Sequence, residues 1–117
     1  MLFTKKLEYG YILLKAMKDC TRENPKMGKD IISELDIPQK MAKNILTILS
    51  NHELIATTRG EKRGYYINKK NITLYDLFLA LEGEQKIKIK YNDHEYENLI
   101  KDMGLIFFNI LKNTILI

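Results

Sequence analysis

One short stretch of the sequence carries basic, amide and hydroxyl side chains at the spacing of a helix face. The residues are Lys40, Lys43, Asn44 and Thr47, with Gln39 beside them. Positions three and four residues apart share one side of a helix, so these side chains form a polar, basic surface. Lysine can bind phosphate or guanine, and asparagine can form two hydrogen bonds with the major-groove edge of adenine. The chemistry indicated is recognition of double-stranded DNA.

A second basic group lies in a glycine-containing loop, residues 59–64. Its charged members are Arg59, Lys62 and Arg63. The flanking residues 54–58 and 65–67 are rich in β-branched and aromatic side chains, which predicts a β-hairpin with the basic loop at its tip. An arginine in such a loop suits the narrow, electronegative minor groove of DNA.

Two helices separated by a tight turn are predicted to position the basic helix face. The second helix begins at Pro38, and its buried stripe is carried by Ala42, Ile45, Leu46 and Leu49. A shorter apolar pattern at residues 31–35 predicts the first helix of the pair. Two short helices joined by a turn, the second with a basic outer face, are typical of a helix-turn-helix. A basic hairpin directly after them indicates a winged helix.

Further helices are predicted on both sides of this unit. An apolar stripe over residues 4–21 predicts a core helix before it, and Pro25 separates that helix from the next. After the hairpin, Thr73 and Asp76 have the spacing of a capping box, and Gly83 is a suitable end for the helix that they begin. Residues 86–91 alternate lysine with apolar side chains, which predicts a short strand.

The last predicted helix begins near Asp93 and carries more apolar surface than a small winged domain can cover. Its apolar side extends over roughly 30 Å at a rise of about 1.5 Å per residue. An exposed apolar face of that size normally marks an interface, so these residues are expected to hold two copies of the chain together. They are Tyr96, Leu99, Ile100, Met103, Ile106, Phe107, Ile110 and Leu111.

Composition narrows the class of protein. The chain has 117 residues, enough for one core with an appendage, and a net charge of +4. Residues 1–64 contain 12 Lys/Arg and 8 Asp/Glu, whereas residues 65–117 contain 7 of each, so the excess charge accompanies the helix-turn-helix and the wing. The sequence has no stretch typical of a membrane span or a secretion signal, which predicts a cytoplasmic protein. Phosphate-loop, paired-histidine and nucleophile-elbow motifs are also absent from the sequence, so an enzyme is not expected.

In this order, the segments resemble the Rrf-type family of bacterial winged-helix transcriptional regulators, which includes IscR-, NsrR- and CymR-like proteins. The similarity covers about the first 83 residues. The wing at residues 59–65, followed by Ile-Thr-Leu at 72–74 and Leu-Glu-Gly at 81–83, is its most specific part. The other matching segments are residues 7–17, 30–35 and 44–49.

The resemblance implies a mainly α fold with a small β-hairpin wing. A winged helix-turn-helix would occupy residues 1–83, and a linker strand with a long C-terminal dimerisation helix would occupy residues 84–117. The implied function is a sequence-specific regulator, with repression as the expected outcome, that binds a pseudo-palindromic operator as a homodimer. The implied DNA contacts fall on Lys40, Lys43 and Asn44 in the major groove and on Arg59 in the minor groove.

Three departures from the family pattern bear on function. Pro38 stands close to where the family usually has a capping serine or threonine, so the turn is expected to persist without a side-chain cap. The wing has Lys62 and Arg63 where glycines often stand. Iron-sulfur members have three cysteines in the segment that corresponds to residues 84–93, and here that segment has none. Because such clusters need thiolates, we expect no metal and no other cofactor.

Three isolated side chains could suggest further chemistry but have simpler explanations. Cys20 near the end of the first helix is expected to be a buried, inert thiol. His52 is expected to be a helix-end residue favoured by the helix dipole. His94 is expected to be a solvated residue in the first turn of the last helix.

A competing interpretation is a winged helix that binds another protein rather than DNA. The basic loop that contains Arg59, Lys62 and Arg63 argues against it, because a protein-docking wing does not require this cluster of charge. The signal that a DNA-binding regulator would sense stays open at this point. The regulator could respond to a small molecule, to a partner protein, to oxidation of Cys20, or to no signal at all.

Overall fold

The computed structural model describes residues 4–83 and 92–117. Within these ranges the chain forms helices around a two-stranded antiparallel sheet, which is the mainly helical fold with a hairpin wing that the sequence predicts. The strand predicted at residues 86–91, with the rest of the linker, lies outside the described residues. The elements in order are α1 (Lys5–Ala16), α2 (Gly28–Ser33), α3 (Gln39–Asn51), β1 (Ile55–Thr58), β2 (Gly64–Ile67), α4 (Leu74–Glu82) and α5 (His94–Lys112).

Helix α3 lies at the centre of the core and packs against α1, α2, α4 and β1. Its predicted apolar stripe is confirmed, because Ala42, Ile45, Leu46 and Leu49 are only 0 to 1% exposed. Each large aliphatic side chain buried in this way contributes roughly 1.5 to 3 kcal/mol. Pro38 precedes the helix at the N-cap position and makes no side-chain capping bond, as the sequence predicts. Packing rather than capping therefore fixes where α3 lies.

Helix α1 ends earlier than its apolar pattern suggests. The sequence predicts a helix over residues 4–21, whereas α1 ends at Ala16 and is capped by Met17. The apolar pattern continues because Met17 and Cys20 both stay buried in the core after the helix has ended. There the backbone bonds to the hairpin instead, and the Cys20 carbonyl accepts a hydrogen bond from the Ile67 amide at 3.2 Å.

The hairpin is also hydrogen-bonded to a segment outside its two strands, a contact that the sequence pattern does not reveal. Strands β1 and β2 pair from Ile55 opposite Ile67 to Thr58 opposite Gly64. On the other side of β2, the Lys26 amide donates to the Tyr65 carbonyl at 3.1 Å, and the Tyr65 amide donates to the Lys26 carbonyl at 2.7 Å. The segment before α2 is therefore hydrogen-bonded to the wing.

Helix α4 begins with the predicted capping box. The Thr73 hydroxyl accepts from the Asp76 amide at 3.1 Å, and the Asp76 carboxylate accepts from the Thr73 amide at 2.9 Å. Lys69 also pairs with Asp76 at 3.0 Å. Partial burial opposes ionisation of Asp76, but the bonds from Thr73 and Lys69 outweigh it and hold the pKa of this carboxyl below its ordinary value.

Helix α5 is attached to the core at its C-terminal end. Beyond it, the Ile72 amide donates to the Ile117 carbonyl at 3.1 Å, the Leu116 amide donates to the Ile72 carbonyl at 2.7 Å, and the Leu74 amide donates to the Thr114 carbonyl at 2.9 Å. These bonds join the end of the chain to the residues just before α4. No helix in the described ranges is long and apolar enough to cross a membrane.

We expect Gly64→Ala to destabilise the protein by roughly 2 to 4 kcal/mol, because it combines a positive φ with a steric clash. Gly64 has φ of 149°, and a Cβ built on it would lie 2.5 Å from the Lys26 backbone. Gly60→Ala is the matched control, since its φ is 115° but no atom lies within 4 Å of the added Cβ. Urea denaturation of both variants tests this, and equal losses would contradict the clash.

Candidate nucleic-acid interface

The outer face of α3 presents every polar residue that the sequence places there. The side chains of Gln39, Lys40, Lys43, Asn44 and Thr47 are all exposed, directly opposite the buried stripe. The Thr47 hydroxyl donates to the Lys43 carbonyl at 3.1 Å, which orients this side chain on the helix. The face is therefore a continuous polar surface with two positive charges at its N-terminal half.

The wing carries the other three predicted charges on exposed side chains. Arg59 and Arg63 lie in the loop between β1 and β2, where the Thr58 hydroxyl closes the turn by donating to the Lys62 carbonyl at 2.6 Å. The Lys62 ammonium donates to the Glu23 carbonyl at 3.4 Å, so this lysine also ties the loop to the segment before α2. An open groove of about 620 Å³ lies between the wing loop and residues 24–27.

The first turn of α2 lies between the buried side of α3 and the wing. A Cβ built on Gly28 would lie 3.7 Å from the Leu46 side chain of α3 and 3.2 Å from the Tyr65 ring of β2. Helix α3 and the hairpin thus approach the same residue from two sides. The wing and α3 therefore pack closely around this residue, and β1 also contacts α3 directly.

The charges on this surface are not neutralised within the part of the chain that the structure describes. Lys40, Lys43, Arg59 and Arg63 form no ion pair there, and Lys62 bonds only to a carbonyl. Four lysines outside this surface do pair with carboxylates at 3.0 to 3.5 Å, namely Lys5, Lys26, Lys69 and Lys101. A basic surface free of carboxylate partners is suited to a polyanion.

Helix α5 divides its apolar residues between the core and the solvent. Five of the eight predicted interface residues are 51 to 65% exposed and follow alternating spacings of three and four, namely Tyr96, Leu99, Met103, Ile106 and Ile110. We call these five residues the α5 stripe. Ile100 and Phe107 are half-buried. The expectation that Leu111 contacts a second chain is wrong. This residue is 3% exposed because it packs in the chain's own core.

On the two helices that carry the predicted site residues, α3 and α5, one further exposed apolar residue each was not predicted. Met41 is exposed in the first turn of α3, and Leu105 is exposed on α5. A signal for both was present in the sequence, because Met41 lies at the edge of the apolar stripe of α3 and Leu105 lies outside that of α5. Leu105 lies on the side of α5 opposite the α5 stripe.

Comparison with known proteins places the chain beside transcription factors. The family model named Rrf2, described as iron-dependent transcriptional regulator, matches residues 3–106. No curated protein sequence matches the chain.

Solved structures with the same fold cover 97% of this chain. T. potens IscR aligns with a TM-score of 0.75 and 18% identity over 82% of its own length. CymR, the global cysteine regulator of B. subtilis, aligns with a TM-score of 0.74 and 22% identity over 92% of its length. The oxidised form of Staphylococcus aureus CymR aligns with a TM-score of 0.73 and 25% identity over 90% of its length.

The residues of this chain do not fit an iron site of the thiolate kind. The sequence contains one cysteine, Cys20, and the structure buries it to 8% exposure against the hairpin. His52 lies at the C-terminal end of α3 and His94 in the first turn of α5. Within the described residues, no three His, Cys, Asp or Glu side chains come close enough to hold a metal ion.

Burial also governs the reactivity of Cys20. Desolvation raises the pKa of its thiol, Lys26 acts in the opposite direction, and Asp19 adds to the increase, with a net pKa above the ordinary value. We expect the native protein to react with a disulfide reagent near neutral pH at least about tenfold more slowly than a free cysteine, since the thiolate is the reactive form. Denatured protein is the control. A native rate equal to the denatured rate would contradict this assignment.

Proposed function

The chain belongs to the Rrf2 family of transcriptional regulators, and on this premise we propose that it represses transcription as a homodimer bound to a pseudo-palindromic DNA operator. The observation that carries the proposal is the exposed basic surface of α3 and the wing, whose charges lack carboxylate partners in the described residues. A dimer bound to DNA that RNA polymerase must occupy would block the polymerase and so repress transcription.

In the proposed complex α3 enters the major groove with its exposed face towards the bases. Asn44 bonds an adenine edge, while Lys40 and Lys43 bind guanine or phosphate. Gln39 and Thr47 lie at the two ends of the same face and contact the adjoining bases or backbone. The wing follows the DNA to the neighbouring minor groove, where Arg59 enters and Lys62 and Arg63 bind phosphate.

The α5 stripe is the proposed contact between two copies of the chain. Its spacing of three and four alternates in the manner of the apolar seam of paired helices. Five exposed apolar side chains in one row favour burial against an identical row, which a two-fold axis provides. Such a dimer presents two α3 helices, so half-sites are expected one helical turn, or a multiple of it, apart.

The attachment of α5 to the core would fix the distance between the two α3 helices. Phe108 packs between Tyr75 and Phe78 of α4, at ring-centroid distances of 5.7 and 6.1 Å. The hydrogen bonds of residues 114–117 hold the same end of α5. A helix held to the core by two kinds of contact would transmit the dimer geometry to the winged unit, and the operator spacing would follow from that geometry.

We expect the protein to bind duplex DNA with an affinity that falls steeply from about 50 to about 300 mM salt, because its lysines and arginines displace phosphate counterions. Arg59→Ala should weaken binding to a selected site by roughly 1 to 3 kcal/mol, and Asn44→Ala should relax the preference at one base pair of each half-site. Fluorescence anisotropy with selected and random duplexes measures both effects.

Lys101→Ala is the matched control for charge. This lysine is exposed on α5 and pairs with Glu97 at 3.2 Å, away from the proposed DNA surface. Its removal should change affinity by less than about twofold, since an exposed ion pair contributes little. If the wild-type protein binds no duplex at any salt concentration, the DNA function is wrong and the alternative of a protein-docking winged helix is favoured.

Dimerisation can be tested with two substitutions on neighbouring positions of α5. Ile106 is 63% exposed within the α5 stripe, and Leu105 is 64% exposed on the opposite side of the helix. Ile106→Glu should give a monomer at micromolar concentration, because it places a charge in the apolar contact. Leu105→Glu should remain dimeric. Analytical ultracentrifugation distinguishes the states, and two monomers, two dimers or a monomeric wild type would each contradict the proposed interface.

A further inference from the structure

An exposed apolar residue lies at the edge of the polar face of α3. Met41 is the third residue of the helix and is 38% exposed. More than a third of this apolar side chain therefore faces water beside Lys40 and Asn44, although the rest of its surface is covered by the protein.

The position of Met41 on the helix places it at the border of the proposed DNA surface. Asn44 follows it by three residues on the polar face, and Ile45 follows it by four in the core. Side chains three apart on a helix have Cβ atoms about 5 to 6 Å from one another. Met41 also lies in the first turn, and in a helix-turn-helix the first residues of the recognition helix are those that contact base edges.

The chemistry of the side chain selects one feature of the major groove. Methionine offers no hydrogen-bond donor and only a weak acceptor, but it is unbranched, flexible and polarisable. The thymine C5-methyl is the apolar group that the major-groove edges of the bases present. Burying these two apolar groups against each other removes both from water, which favours thymine over a base without the methyl.

We propose that Met41 is a specificity-determining residue that contacts the methyl group of a thymine beside the base bonded by Asn44. The inference rests on the proposed DNA-binding function and adds a chemical preference to it. Base pairs follow one another at about 3.4 Å, which is less than the separation of the two Cβ atoms. The thymine therefore belongs to the A·T pair that Asn44 reads or to the next pair, and each half-site contains a thymine at that place.

The test uses the full-length protein and an operator selected by it from random duplexes. Each thymine of one half-site is replaced in turn by uracil, which pairs identically but lacks the methyl. For the wild-type protein, we expect one replacement to weaken binding by about three- to fivefold, the range for burial of one methyl-sized group. Met41→Ala and Met41→Gln should bind the thymine and uracil duplexes equally, while Met41→Leu should keep the preference.

The variants are chosen so that folding does not decide the outcome. Alanine, glutamine and leucine are all strong helix formers, and circular dichroism with thermal unfolding checks that α3 persists. Lys43→Ala is the control on the same helix and should lose affinity while keeping the sensitivity to uracil.

Each outcome separates this inference from the DNA function on which it rests. A wild-type protein that selects no DNA overturns both. A protein that selects an operator but tolerates every uracil, or a Met41→Ala variant as sensitive to uracil as the wild type, overturns the role of Met41 alone. Loss of uracil sensitivity in the alanine and glutamine variants, with retention in the leucine variant, supports it.

Discussion

The burial of one side of α3 is the interaction on which the rest of the structure depends. Ala42, Ile45, Leu46 and Leu49 are almost completely removed from water, and the helices around them pack against this stripe. The helix begins at Gln39, and its N-cap residue Pro38 makes no side-chain capping bond, so its orientation rests on this packing. With one side fixed in the core, the opposite side must face the solvent, and that side carries the lysines and the asparagine. Core packing therefore orients the surface that we assign to DNA.

The wing is positioned by a second, smaller set of contacts. Lys26 bonds to Tyr65 along β2, and Gly64 has no side chain, which allows the Lys26 backbone to come close. Gly28 sits in the same way between the Tyr65 ring and Leu46. Through these close approaches the hairpin, the segment before α2 and α3 pack together. A duplex would then meet the helix and the wing at a set separation, which is what reading a major groove and the adjacent minor groove requires.

Helix α5 has two sides with different physical roles. One side contributes Leu111 to the core and places Phe108 against the aromatic rings of α4. The other side leaves the α5 stripe exposed to water, so pairing with a second copy, as proposed above, would be favourable. In such a dimer one helix would serve both contacts, and it would couple the arrangement of the subunits to the placement of the winged unit.

Local spacing in the sequence determined the fold class, the two polar surfaces and the capping box of α4, because these features depend on residues only a few positions apart. The tertiary structure decided the features that join distant residues. Examples are the early end of α1 at Ala16, the pairing of Lys26 with Tyr65 and of the chain end with Ile72, and the burial of Leu111 rather than its exposure. No helical or strand period encodes such contacts, since an apolar residue follows the same pattern whether its own core or a second chain covers it. Only the arrangement of the packed elements determines which surface remains for a partner.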